Sequence, residues 1–187
     1  MIINSICTHI KNHIKMKYLN TLSLFLLLSS FSIAQEMNLN KEFLKIENYI
    51  SVMEKSEKEI SKAPVKWHLL HLLQVIKGVI DNAASSDPAE FNSKSNLVWK
   101  YTSLFGKIPR GKITSPDVVN PKFEITEIEI RTAIEDAKLR VSQWGKLKQN
   151  NFYNHHILLH LNKRKIKRFL KVHTRHHLRI VRDITKD

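Results

Sequence analysis

One cysteine, four glycines and five prolines are all that 187 residues contain of the types that cross-link, loosen or interrupt a chain. The lone cysteine, Cys7, cannot close an intramolecular disulfide, so a disulfide scaffold is excluded. So few glycines and prolines beside 42% hydrophobic residues exclude a disordered or low-complexity chain. Acids are also scarce, with 17 Asp and Glu against 31 Lys and Arg, and the net charge is +14. No stretch shows the alternation of apolar and polar residues that marks a half-buried strand, and no internal repeat is visible. What remains is enough chain for one helical domain with a sizeable core.

The longest apolar run lies near the start. "MKYLNTLSLFLLLSSFSIAQ", Met16 to Gln35, has a lysine, then Leu22, Leu24, Phe25, Leu26, Leu27 and Leu28, then small residues ending at Ala34. This order is that of a secretory signal peptide cleaved after Ala34, which makes residues 1–34 a leader and 35–187 the mature domain. Met16 is the expected true start. The core is short for a membrane span, which needs about 20 apolar residues. The alternative is an uncleaved anchor formed by residues 20–33. Cleavage removes three lysines and no acid, which lowers the net charge from +14 to +11, and it removes Cys7. The exported chain then has no thiol nucleophile and relies on packing, and on any metal, for stability.

Four amphipathic helices are expected. In "KEFLKIENYISVMEKSEKEI", Phe43, Ile46, Ile50 and Met53 follow a 3-4-3 spacing, one helical stripe. "KAPVKWHLLHLLQVIKGVIDNA" is apolar nearly all round, as in a helix buried on most sides, and Pro64 suits its first turn. From Ser85 to Ile125 the pattern breaks at Pro88, Gly106, Pro109, Gly111, Pro116 and Pro121, with room for a short helix or turn between Phe91 and Phe105. A connection this long in a compact domain is often functional. "TEIEIRTAIEDAKLRVSQW" opens on the capping-box spacing of Thr126 and Glu129. Its seam is Ile130, Ile134, Ala137, Val141 and Trp144. The last helix starts near Asn162, a good N-cap, and runs to about Thr185. The pattern predicts an all-α four-helix bundle with a long connection between its second and third helices.

The last helix carries the feature that points to chemistry. Its seam reads Ile166, Leu170, His173, His177, Ile180, Ile184, so two imidazoles interrupt an aliphatic stripe. Lys165, Lys167, Arg168, Lys171, Arg175, Arg179 and Arg182 lie off it, facing water. An unpaired polar group in a core costs about 1–3 kcal/mol. Side chains at i and i+4 share a helix face and can converge on one cation, as in two-histidine helical metal motifs. A third ligand must then come from another helix. "WHLLHLL" offers His68 and His71. His71 shares a face with Trp67, Gln74 and Gly78, a stripe suited to lining a cavity, whereas His68 lies among Leu72, Val75 and Val79. His71 is therefore the better ligand and His68 the alternative, the other serving as a hydrogen-bonded neighbour. The competing reading is a set of satisfied core histidines. His155, His156 and His160 are expected in a loop, and His176 on the surface.

In this order, "WHLLHLLQVI", "FGKIPRGK" and "FLKVHTRHHLRIVRDI" resemble the DinB-like superfamily, in particular a branch of unknown function. The likeness spans roughly residues 40–185. It implies an up-down-down-up four-helix bundle with a long crossover after helix two. It also implies a divalent metal, zinc, nickel or iron, held by His71, His173 and His177. Several relatives are thiol-dependent transferases or isomerases. "NHHILLHLN", Asn154 to Asn162, departs from the family pattern: His156 stands for the usual proline and Leu159 for the usual glycine, while His155 keeps the family histidine.

An open three-histidine site can polarise a carbonyl or lower the pKa of bound water to about 7. Metal-dependent hydrolysis or group transfer on a small molecule is the expected chemistry. No carboxylate stands out as general base: Asp81 and Asp183 lie at helix ends, and Glu127, Glu129 and Glu135 read as capping or solvated charges. Arg110, in "KIPRGK", is a candidate for an anionic substrate group, against the plainer reading of a solvated turn. Trp67, Gln74 and His155 are the other expected neighbours of the site. The contrasting function is a non-catalytic exported bundle whose basic surface meets anionic lipid or polyanions. Nucleic acid is not expected, since no interleaved aromatic platform is present. A second copy of the chain is a further candidate partner.

Overall fold

The computed structural model of the chain describes residues 36–110, 122 and 124–187. The expected leader and its cleavage point after Ala34 lie outside the described residues, as does the stretch from Gly111 to Pro121. Residues Met37–Asp187 form one unit. Five α-helices and one small hairpin make up its regular structure among the described residues: α1 Asn40–Tyr49, α2 Val65–Ser85, α3 Leu97–Phe105, α4 Glu127–Ser142 and α5 Lys163–Thr185, with β1 Phe152–His155 and β2 Leu159–Asn162. No described helix is long and apolar enough to cross a membrane.

α2 is the central element. It packs against α4, α5 and β1, and α5 also receives α1 and α3. Its apolarity on nearly every side follows from this position: Leu69, Leu72, Leu73 and Ile76 are buried within it. The stripe Phe43, Ile46, Ile50 and Met53 is buried as the spacing predicts. However, α1 ends at Tyr49 and tightens into a 3-10 turn over Ile50–Val52, well short of the expected Ile60. The Ser51 hydroxyl donates to the Asn48 carbonyl there, and from Glu54 to Ala63 no residue is fully buried, Ile60 packing only partly against the core.

Capping sets the remaining starts. Thr126 and Glu129 form a reciprocal capping box at α4, the Thr126 N–H donating to Glu129 Oε2 at 2.7 Å. Asn162 Oδ1 accepts from the Lys165 N–H at 3.1 Å and starts α5. Pro64 stands one residue before α2, as its N-cap. α3 ends at Gly106, whose φ of 60° is the left-handed conformation a helix stop favours in glycine.

The hairpin is a departure from the expected loop. β1 and β2 pair antiparallel from Phe152↔Asn162 to His155↔Leu159. Strands of four residues rich in Asn and His are too short for their alternation, as in Leu159–Asn162, to stand out in sequence. Tertiary anchors define them instead: the Phe152 N–H donates to Ser86 Oγ at the end of α2, and the Asn92 N–H to His160 Nδ1. Leu159 has a φ of 63°.

Candidate metal centre

α2 and α5 lie side by side, and their mid-sections place four histidines together. Each of His71, His173 and His177 offers one ring nitrogen, and these three atoms lie within 4.8 Å of one another. The ring centroids are 4.6 Å apart for His71 and His177, 4.6 Å for His173 and His177, and 5.2 Å for His71 and His173. Two Zn–N bonds of about 2.0–2.1 Å at the tetrahedral angle set their nitrogens about 3.3 Å apart. Side-chain rotation of the order of 1 Å draws this set onto an ion, a small adjustment for staggered side chains. The three histidines can therefore hold a metal.

Two further observations bear on the fit. His173 Nδ1 is buried and has no hydrogen-bond partner, a lone pair or proton without an outlet. Burial holds His173 and His177 well below the ordinary histidine range, and the neighbouring imidazoles add to it, His71 for His173 and His173 for His177. Neutral imidazoles are the form that binds metal, so protons do not compete for these nitrogens at neutral pH.

His68 is not in the triad. It is buried, and its Nδ1 lies 3.0 Å from His177 Nδ1, while its Nε2 lies 2.9 Å from Ser61 Oγ. The Ser61 oxygen also accepts from the Ala63 N–H. One nitrogen of the His68–His177 pair must carry the proton. If His177 Nδ1 donates, His68 accepts at Nδ1 and donates from Nε2 to Ser61, and His177 Nε2 is left with a free lone pair. The reverse order protonates His177 Nε2. Only the first order suits metal binding by His177, and it gives Ser61–His68 the orienting role that ligand histidines commonly require. His68 itself is pushed down to about 3, first by burial and then by His71, His176 and Arg110.

The other expected neighbours divide. Trp67 stacks on His71, with centroids 4.8 Å apart and planes 10° from parallel, which fixes that ring's orientation. Gln74 does not line the cavity beside the triad, and its Oε1 is buried without a partner. His155 does line it. Its Nδ1 accepts from the Ile157 and Leu158 N–H groups, so it also closes the hairpin turn. Burial, aided by His156, lowers it to about 4. Arg110 reaches the cavity mouth but is already paired with Asp183 at 2.6 Å.

The cavity holds about 660 Å³. Its walls are mixed: Val75, Val79, Val98 and Phe169 give apolar surface, and Tyr153 and the histidines give polar points. His176, expected on the surface, is half-buried and lines this cavity. The segment around Ile108 folds back onto it and hydrogen-bonds to it through the backbone, a contact invisible to helical periodicity. Burial first, then Arg110 and Arg179, lower it to about 4. Tyr153, His156, Lys58 and Lys62 also border the space, and none carried a sequence signal because none sits on a helical seam. No Asp or Glu is among the described residues that line it. The chain matches no family model, and it has no match among curated proteins or solved structures.

Proposed function

We propose that this chain is a DinB-like four-helix bundle, built from α1, α2, α4 and α5 with α3 in the crossover, that binds one divalent ion through His71, His173 and His177. Zinc, nickel or iron suits a three-imidazole set. The proposal extends to metal-dependent hydrolysis or group transfer on a small molecule, by an exported protein. The observation that carries the reading is the convergence of three imidazoles, of His71, His173 and His177, beside a roomy cavity. The left-handed backbone at Leu159, where the resemblance calls for glycine, supports the family assignment.

A bound divalent ion supplies Lewis acidity and a water acidified to near neutral pH. The protein's own groups do the rest. Ser61 and His68 hold the His177 ring in one tautomer, Trp67 holds His71, and apolar walls limit water around the reacting atoms. Neutral His176 keeps a ring nitrogen for a proton, whereas the His155 Nδ1 lone pair is taken by the Ile157 and Leu158 N–H groups, and no Asp or Glu is among the described residues lining the cavity. Elemental analysis of chain refolded with zinc, nickel or iron tests the reading. About one ion per chain is expected for wild type. The His173→Ala/His177→Ala variant should keep its helical circular dichroism and bind none. A folded wild type that retains no ion from any of the three defeats the proposal.

A second reading, contact with an anionic lipid surface, is favoured by α3. Leu97, Tyr101, Leu104 and Phe105 form one exposed stripe on it. The helix is flanked by base: Arg168 donates to the Ser103 carbonyl, and Arg179 to that of Gly106. An apolar stripe with basic flanks is the pattern of interfacial attachment. Sedimentation with phosphatidylglycerol vesicles, lost in Leu104→Ser/Phe105→Ser, is the expected result. Equal sedimentation with neutral vesicles would rule it out.

A further inference from the structure

We infer that the cavity beside His71, His173 and His177 takes a small organic anion, a carboxylate on an apolar body, with the charged end at the histidines. The inference rests on the metal reading above and adds the class of ligand to it. Its basis is charge balance. An imidazole ligand carries no negative charge, so a divalent ion held by His71, His173 and His177 would keep its full +2. Many zinc sites include an anionic protein ligand, a carboxylate or a thiolate, that offsets part of that charge. Here no Asp or Glu is among the described residues lining the cavity. Asp183, which pairs with the lining residue Arg110, is committed to Arg110 and Arg182.

The surroundings increase the imbalance. Lys58 and Lys62 border the opening and are exposed, and Arg110 stands at the mouth. An uncompensated charge in a poorly solvated space is costly, and attraction to an opposite charge is correspondingly strong. The open coordination position is therefore best filled by an anion, and the rim cations draw one inward. The rest of the ligand is specified by the walls. Val75, Val79, Val98, Ile157, Phe169 and Ile180 line the cavity and offer no hydrogen-bonding side chain. A volume of about 660 Å³ falls within the range that encloses a small organic molecule.

The test uses the full chain loaded with zinc, with stoichiometry fixed first by elemental analysis. Isothermal titration with octanoate, octanamide and octylammonium then compares one apolar body carrying three head charges. Octanoate should bind at least about tenfold more tightly than octanamide, and octylammonium should not bind. Removal of zinc with a chelator should abolish the preference for octanoate. A charge-only control sits in the cavity wall at the half-exposed Val98. Val98→Gln should retain the preference, whereas Val98→Glu, which supplies the missing negative charge, should remove it while zinc stays bound. A zinc-loaded chain that binds octanamide as tightly as octanoate, or binds neither, overturns this inference and leaves the metal reading intact. A chain that takes up no zinc overturns the metal reading, and this inference falls with it.

Discussion

Replacing His68 with phenylalanine isolates the chain of hydrogen bonds behind the triad. The volume is nearly kept, but His177 Nδ1 loses the acceptor that lies 3.0 Å away. His177 is only 7% exposed, so water cannot take over. A buried donor left without a partner costs about 1–3 kcal/mol. His177 can escape by moving its proton to Nε2, but that occupies the nitrogen needed for metal. The metal-free variant takes this escape and metal binding must reverse it, so the cost falls on metal binding and corresponds to roughly a 10- to 100-fold weaker Kd, the usual scale for losing an outer partner of a ligand histidine. Competition for zinc against a chromophoric chelator at pH 7.5 measures the Kd, with circular dichroism to confirm folding. His68→Gln, whose side-chain oxygen can accept the same hydrogen bond, should recover much of the affinity. A folded His68→Phe protein with a Kd within about threefold of wild type would refute the argument, since it falls below the expected range.

Other outcomes follow from the same structure. In metal-free protein, His68 titrates at about 3 and His155 and His176 at about 4, all below the unfolded value of about 6.5. Between these limits the unfolded state binds protons that the folded state does not, so the melting temperature should be steady above about pH 7 and fall from about pH 6.5 towards 4; a flat profile down to pH 4.5 contradicts it. Zinc at a hundredfold excess over its Kd should raise the melting temperature by about 5–10 °C, read by calorimetry. Leu72→Ala, at a fully buried α2 position, should cost about 2–5 kcal/mol in urea unfolding. Leu104→Ala, 74% exposed on α3, should change stability by less than about 0.5 kcal/mol.

The parts of this protein legible in its sequence are those governed by helical period and capping. Ile166, Leu170, Ile180 and Ile184 are buried because a 4-3-4 spacing leaves them no other face, and His173 and His177 enter the interior on the same register. The Thr126–Glu129 box forms because both partners lie within one turn. What escaped depends on contacts between distant segments. The hairpin is defined by Ser86 and Asn92, 66 and 68 residues away from their partners. His176 joins the cavity only because the segment before Gly111 returns to it. The choice between His68 and His71 was open in sequence because both are buried, and their separation comes from Ser61, which draws one ring away from the triad.

The backbone at Leu159 has a consequence for rates. A leucine in the left-handed region carries about 1–2 kcal/mol of strain, and here it sits at one end of a two-stranded ribbon only four residues deep. Such an element opens at lower cost than the helices around it. β1 supplies Tyr153 and His155 to the cavity wall, so each opening of the hairpin uncovers the histidines while α2 and α5 stay packed. The rate at which a small molecule leaves this cavity should then follow hydrogen exchange of the hairpin amides rather than the slower exchange of the α2 and α5 amides.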